Sequence, residues 1–155
     1  IALLALAHQD LPGDLRKRYP LLVGGGKWQD KDADFALDPY IQLSGFIADT
    51  DLAAVYQGAT IFAFPSKYEG FGLPVLEAMV SGVPVLTSNA SSLPEVAGDA
   101  AYIVDPESLS DMTTGLKELL TNKQLRESLI EKGHTRTEMF SWTDYAKTLH
   151  RLLVR

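Results

Sequence analysis

The chain has 155 residues, a formal net charge of -6 and no cysteine, which is enough for one domain that buries roughly 70% of the surface its unfolded form exposes. The acidic balance argues against a nucleic-acid footprint, which normally shows as clustered lysine and arginine. Without cysteine there is neither a disulfide framework nor a thiolate zinc site, and His8, His134 and His150 match no metal-ligand spacing, so structural or surface roles are expected of them.

The opening residues, IALLALA, read as the middle of a helix with no capping residue before it. The run is far shorter than a membrane span and lacks the basic region of a signal peptide. Such a beginning is expected of a fragment cut inside a larger protein.

Five short, largely apolar runs follow along the chain: YPLLVGG, IQLSGFI, TIFAFPS, VPVLTS and AAYIVDP. Each ends in Gly, Pro, Ser or Asp, as strands buried on both faces of a parallel sheet should. The charged stretch GGGKWQDKDADFALDP between the first two is expected to be a short helix or a mobile surface loop. Two helices alternate with the later strands. DTDLAAVYQGA carries apolar residues at Leu52, Val55 and Tyr56, and LPVLEAMVSG has Pro74 in its first turn and Gly82 as a stop. The pattern is that of a doubly wound α/β layer.

Beyond Asp105 the character becomes wholly helical. Asp105-Pro106 is expected to open a helix with Leu109, Met112, Leu116, Leu119 and Leu120 on one stripe, and Leu125, Leu129 and Ile130 continue a second. Ser141, with Asp144 three residues on, should cap a third helix carrying Trp142, Tyr145, Leu149, Leu152 and Leu153.

Two stretches invite a ligand. Gly24-Gly25-Gly26-Lys27 follows a strand, but the dinucleotide fingerprint fails at Gln29 and the P-loop fails at Trp28. A glycine-rich turn is the preferred reading there, although it lies at a strand's carboxyl end, where α/β sheets bind ligands. The second stretch, SKYEGFGLPVLEAM from Ser66 to Met79, joins a strand to a helix through a Gly-Phe-Gly turn. Backbone amides at such a helix N-terminus form a ready anion site.

Glu69 and Glu77 flank that turn. If the amides take phosphates, two ionised carboxylates beside them cannot also ligate that anion, because like charges repel in a partly dry cleft. Carboxylates are acceptor-only groups and suit hydroxyls. A ligand with phosphates in the middle and a hydroxylated ring at each end, a nucleotide sugar, satisfies both demands. Taken singly, Glu77 is better read as a carboxylate favoured by the helix dipole and Glu69 as a solvated loop residue; the pair around Gly-Phe-Gly reverses that preference. Phe71 can simply plug the loop onto the core. Lys67 is a candidate counter-ion for a diphosphate, with ordinary solvation as its bland alternative.

The segment FPSKYEGFGLPVLEAMVSGVPVLTSNASSLPEVAGDAAYIVDP resembles the donor-binding domain of a family 4 glycosyltransferase of the GT-B fold, within glycosyltransferase group 1. The likeness runs from about Tyr19 to the C-terminus and includes the Glu-x7-Glu motif. The resemblance implies a Rossmann-like parallel sheet with helices on both faces, the C-terminal half of a GT-B fold, with an all-helical last third and the first strand missing. Residues 1–155 would then form one nucleotide-sugar-binding domain, without the N-terminal acceptor domain.

The resemblance also implies roles. Glu69 would act at the catalytic centre, holding hydroxyls of the transferred sugar, while amides of Gly70, Phe71, Gly72 and Leu73 meet sugar and phosphate oxygens. Glu77 would hold the nucleoside ribose, and Phe46 and Ile47 would supply backbone contacts to the base. Glu95 matches a recurrent glutamate with no assigned part beyond capping a short helix. Transfer from a nucleoside-diphosphate sugar with retention, through an oxocarbenium-like transition state and with no metal or other cofactor, is the implied chemistry. The fragment alone would be inactive, and its full-length parent cytoplasmic or membrane-peripheral, with an unknown acceptor. A non-catalytic nucleotide-sugar-binding or regulatory module, and an epimerase or phosphorylase of the same fold, remain open alternatives.

Overall fold

The computed structural model describes residues 1–26 and 38–154. Most of the charged stretch expected to be a short helix or loop therefore lies outside the described residues.

Among the described residues the elements are, in order, α1 (Ala2–Gln9), α2 (Gly13–Arg18), β1 (Leu21–Gly24), β2 (Ile41–Gly45), α3 (Asp49–Gly58), β3 (Phe62–Phe64), α4 (Leu73–Val80), β4 (Val85–Ser88), α5 (Leu93–Ala97), β5 (Ala101–Val104), α6 (Leu109–Thr121), α7 (Lys123–Thr137) and α8 (Trp142–Leu153). All five expected strands form, and every pairing among them is parallel.

They do not form one sheet, however. β1 pairs with β2, and β3, β4 and β5 pair in that order as a second sheet. The expectation of burial on both faces holds only for the second sheet's middle strand: every residue of β4 is buried, whereas most of β1 and β2 is partly or fully exposed. A middle strand has a neighbour on each side and a helix layer on each face, whereas β1 and β2 are edges.

Alternation along β4 explains the double layer. Leu86 faces a core built with Val104, Leu4 and Ala7 of α1, and Met112, Leu116 and Leu119 of α6. Its neighbour Val85 points the other way, to Val75 and Met79 of α4 and Val96 of α5. Each fully buried aliphatic side chain in these layers stabilises the fold by about 1.5–3 kcal/mol before entropy is subtracted. Helix α1 also joins the two sheets. Its Leu4 and Ala7 belong to the larger core, while Ala5 packs with Val23 of β1 and Ile41 of β2. His8, on the same helix, is buried with Nε2 at 2.9 Å from the Tyr19 carbonyl oxygen, a structural role as expected.

The expected start of the first C-terminal helix is corrected. Asp105 accepts a hydrogen bond from the Glu107 amide at 2.8 Å and makes a local turn, so α6 begins only at Leu109, with Ser108 accepting from the Asp111 amide. The cap on α8 is as expected, Ser141 accepting from the Asp144 amide at 3.2 Å. Its apolar stripe is not packed away, since Trp142, Tyr145, Leu149, Leu152 and Leu153 all stand exposed. Among the described residues no helix is long and apolar enough to cross a membrane.

Candidate functional site

Parallel strands place all their carboxyl ends on one edge of a sheet. The loops leaving β3, β4 and β5 therefore share that edge, and side chains from each tie them together.

The β3–β4 pairing extends into the first loop through two buried hydroxyls. Thr87 donates to the Phe64 carbonyl at 2.9 Å, and Ser88 donates to the carbonyl of Ser66. Both side chains are fully buried, so the bonds offset a desolvation cost that would otherwise destabilise β4. Next, the β4 loop grips the turn itself. Ser91 donates to the Glu69 carbonyl at 2.6 Å and accepts from the Glu69 amide at 3.3 Å. Ser92 lies within donating distance of the carbonyls of Glu69 and Phe71, at 3.1 and 2.9 Å. Ser92 is the N-cap residue of α5, yet it caps no amide of its own helix, because its hydroxyl is turned to this neighbouring loop.

With those carbonyls fixed, the amides are left over. No partner is found for the amides of Gly70, Phe71, Gly72 or Leu73 among the described residues. They stand at the N-terminus of α4, where the helix dipole adds positive character. Gly70 has open space where a side chain would be, which leaves room for close approach. Gly72 adopts φ 107°, and a Cβ there would sit 2.8 Å from Leu93, a fully buried residue. Here the left-handed backbone and the packing both require glycine.

The flanking carboxylates differ in setting. Glu69 is half-buried at the turn; Glu77 is exposed, four residues into α4 on the face shared with Leu73. Tyr56, from α3, donates its phenol to Glu77 Oε2 at 3.0 Å. Burial first, and the adjoining Glu77 carboxylate second, push the Tyr56 phenol well above its ordinary range, so it remains a donor. Composition and periodicity gave Tyr56 only as an apolar stripe residue; the contact joins elements that are remote in sequence and leaves no local pattern.

Of the remaining candidates, Lys67 lies at this edge, and Phe46 and Ile47 lie at the end of the separate β1–β2 sheet. Lys67 pairs with Glu107 of the β5 loop at 2.9 Å; both side chains are mostly exposed, so the pair is weak and easily exchanged. Phe46 is 82% exposed just beyond β2, while Ile47 lies against the Cα of Gly24 at the end of β1. The Gly25 amide donates to the Gly45 carbonyl at 2.8 Å, which brings the β1 and β2 ends together. The Phe71 ring is 46% exposed and outside the core clusters, so it does not plug the loop onto the core; it meets Phe140 edge-to-face, with centroids 5.8 Å apart, and its amide stays free. Glu95 is exposed in the first turn of α5. Among the described residues, no group of three or more His, Asp or Glu side chains is placed to hold a metal ion.

The chain is similar to known proteins in sequence and in fold. Over 142 residues the chain is 39% identical to O-antigen chain mannosyltransferase B of Escherichia coli, a match covering 88% of this chain and 37% of the relative. The chain thus spans little more than a third of that relative's length. Among solved structures, sucrose-phosphate synthase of Thermosynechococcus elongatus superposes with a TM-score of 0.79 at 24% identity, over 98% of this chain and 40% of the other. Anabaena Alr3699/HepE in complex with UDP and glucose gives 0.81 at 17% identity, over 99% of this chain and 44% of the other. At those identities the structures establish a common fold, the α/β architecture of GT-B glycosyltransferases. The family described as glycosyl transferases group 1 matches residues 1–136, from α1 through nearly all of α7, and the chain belongs to that family.

Proposed function

We propose that the chain is the donor-binding part of a retaining glycosyltransferase, which moves a sugar from a nucleoside-diphosphate sugar to an acceptor. One observation carries this reading: four unpartnered amides at the start of α4, with Glu69 just before them in the chain and Glu77 one turn into the helix. The amides suit diphosphate oxygens, and the acceptor-only carboxylates suit hydroxyls of the sugar and of the ribose. Lys67 exchanges Glu107 for a phosphate at little cost, since the existing pair is solvent-screened. The loop ends at Gly24–Gly26 and Phe46–Ile47 offer backbone to the base. The complex of Anabaena Alr3699/HepE with UDP and glucose supports a nucleotide-sugar ligand for the shared fold.

In this reading the acceptor is bound by a part of the protein outside this chain, which spans 37% of the mannosyltransferase relative. The leaving nucleoside diphosphate is stabilised by amides already oriented before reaction, which is where such electrostatic catalysis is most effective. Titration calorimetry of the full-length protein with UDP-, GDP- and ADP-sugars tests the proposal. One of the three should bind, and the absence of binding by all three in a folded sample overturns it.

Tyr56→Phe is a narrower test. The ring keeps its edge-to-face contact with Phe62 at 5.1 Å, but the bond to Glu77 is lost. The variant should unfold within about 1 kcal/mol of the parent and bind free nucleotide roughly three- to tenfold more weakly. Unchanged nucleotide affinity, measured by the same calorimetry, would show that Tyr56 does not orient Glu77.

A further inference from the structure

The turn from Glu69 to Gly72 is held from two sides. On one side stand Ser91 and Ser92, bonded to its carbonyls. Ser91 has φ 56°, the one non-glycine residue with positive φ among the described residues, a conformation that costs energy and persists where surrounding structure enforces it. On the other side is Phe140, at the corner between α7 and α8, its ring edge-to-face with Phe71 at an interplanar angle of 88°.

Arg136 closes the circuit. Its guanidinium lies 5.2 Å from the Phe140 ring centroid, while Nε donates to the Val96 carbonyl at 2.9 Å and Nη2 to the carbonyl of Glu95. Those carbonyls belong to α5, the helix that Ser92 begins. The path therefore runs from Phe71 to Phe140, through Arg136 to α5, and back through the serines to Glu69 and Phe71. Glycines on either side of Phe71 give the turn freedom that these contacts help to remove.

We infer that Phe140 and Arg136 are positioning residues for the sugar-binding turn: from the last third of the chain they fix where the Glu69 carboxylate and the free amides stand. Neither touches the expected ligand position, and each acts through Phe71 or through α5. The inference rests on the proposed function for its ligand, but its mechanical content does not.

The test uses Phe140→Ala, Phe71→Ala and the double variant in the full-length protein, with Phe140→Tyr as the conservative control. Chymotrypsin cleavage after Tyr68 and Phe71 reads the turn without any ligand. It should accelerate about tenfold in Phe140→Ala and return to the parent rate in Phe140→Tyr. In calorimetry the nucleotide sugar should bind about tenfold more weakly to Phe140→Ala, the free nucleoside diphosphate less than about threefold, and the double variant no worse than the weaker single one. A purely structural role would weaken both ligands alike and let the two single effects add. Unchanged cleavage, equal losses for the two ligands or additive losses each overturn the inference. If the parent binds no nucleotide sugar, the proposed function fails, and the cleavage rates alone decide the fate of the inferred brace.

Discussion

Replacing Gly72 with alanine is expected to lower folding stability by roughly 2–5 kcal/mol, combining a left-handed backbone imposed on an L-residue with overpacking. The added methyl would lie 2.8 Å from Leu93. The contacting atom is a terminal methyl of Leu93, but that side chain is fully buried in the core cluster with Val75, Met79 and Val85, so it can give way only by repacking that core. The same change tilts the first turn of α4, so nucleotide-sugar affinity should fall even in the folded fraction. Gly70→Ala is the informative contrast, since its methyl would enter open space. That variant should unfold within about 0.5 kcal/mol of the parent, as exposed substitutions usually do, while losing affinity because the methyl takes up open space beside the proposed phosphate site. Urea unfolding paired with calorimetry separates the two, and a Gly72→Ala protein with an unchanged midpoint would refute the packing argument.

The second large effect concerns the two glutamates. Each would accept hydrogen bonds from hydroxyls, and loss of a bond to a charged group costs about 1.5–3 kcal/mol, roughly a 10- to 150-fold loss of affinity. Glu77→Ala should weaken free nucleotide and nucleotide sugar together, because the ribose is present in both. Glu69→Ala should weaken chiefly the sugar-bearing ligand and, in the full-length enzyme, remove most transfer activity. Equal loss of free-nucleotide affinity in the two variants would exclude this division of labour.

The elements were readable because apolar run length and turn residues are local quantities. VPVLTS was legible as a buried strand, and β4 is buried throughout. The division into two sheets was not, since pairing depends on which edges meet and not on the strands' own composition. Asp105 misled for a related reason. An aspartate before a proline suits a helix start, but its carboxylate satisfies the Glu107 amide in a turn of its own.

At the candidate site, the strand-to-helix turn with its free amides was legible because paired glycines before a helix mark such a turn, while the binding roles of Glu69 and Glu77 remain proposals. Tyr56, Ser91 and Phe140 were not legible. Ser91 acts on Glu69 across a separation of 22 residues, and Phe140 meets Phe71 from the last third of the chain. The doubled serine before LPEV was the available signal, but it reads as ordinary helix capping until the hydroxyl is seen to point elsewhere.

The split sheet also gives the molecule unequal resistance to local opening. Amides of β4, paired on both sides and covered on both faces, are freed only when the whole domain opens, whereas β1 and β2 separate in smaller fluctuations. The expected base contacts at Phe46 and Ile47 lie on that looser unit, and the turn with Glu69 lies on the tighter one. A donor bridging both would therefore be gripped firmly at its sugar and phosphates and more loosely at its base, with part of the binding energy spent in quieting the smaller sheet.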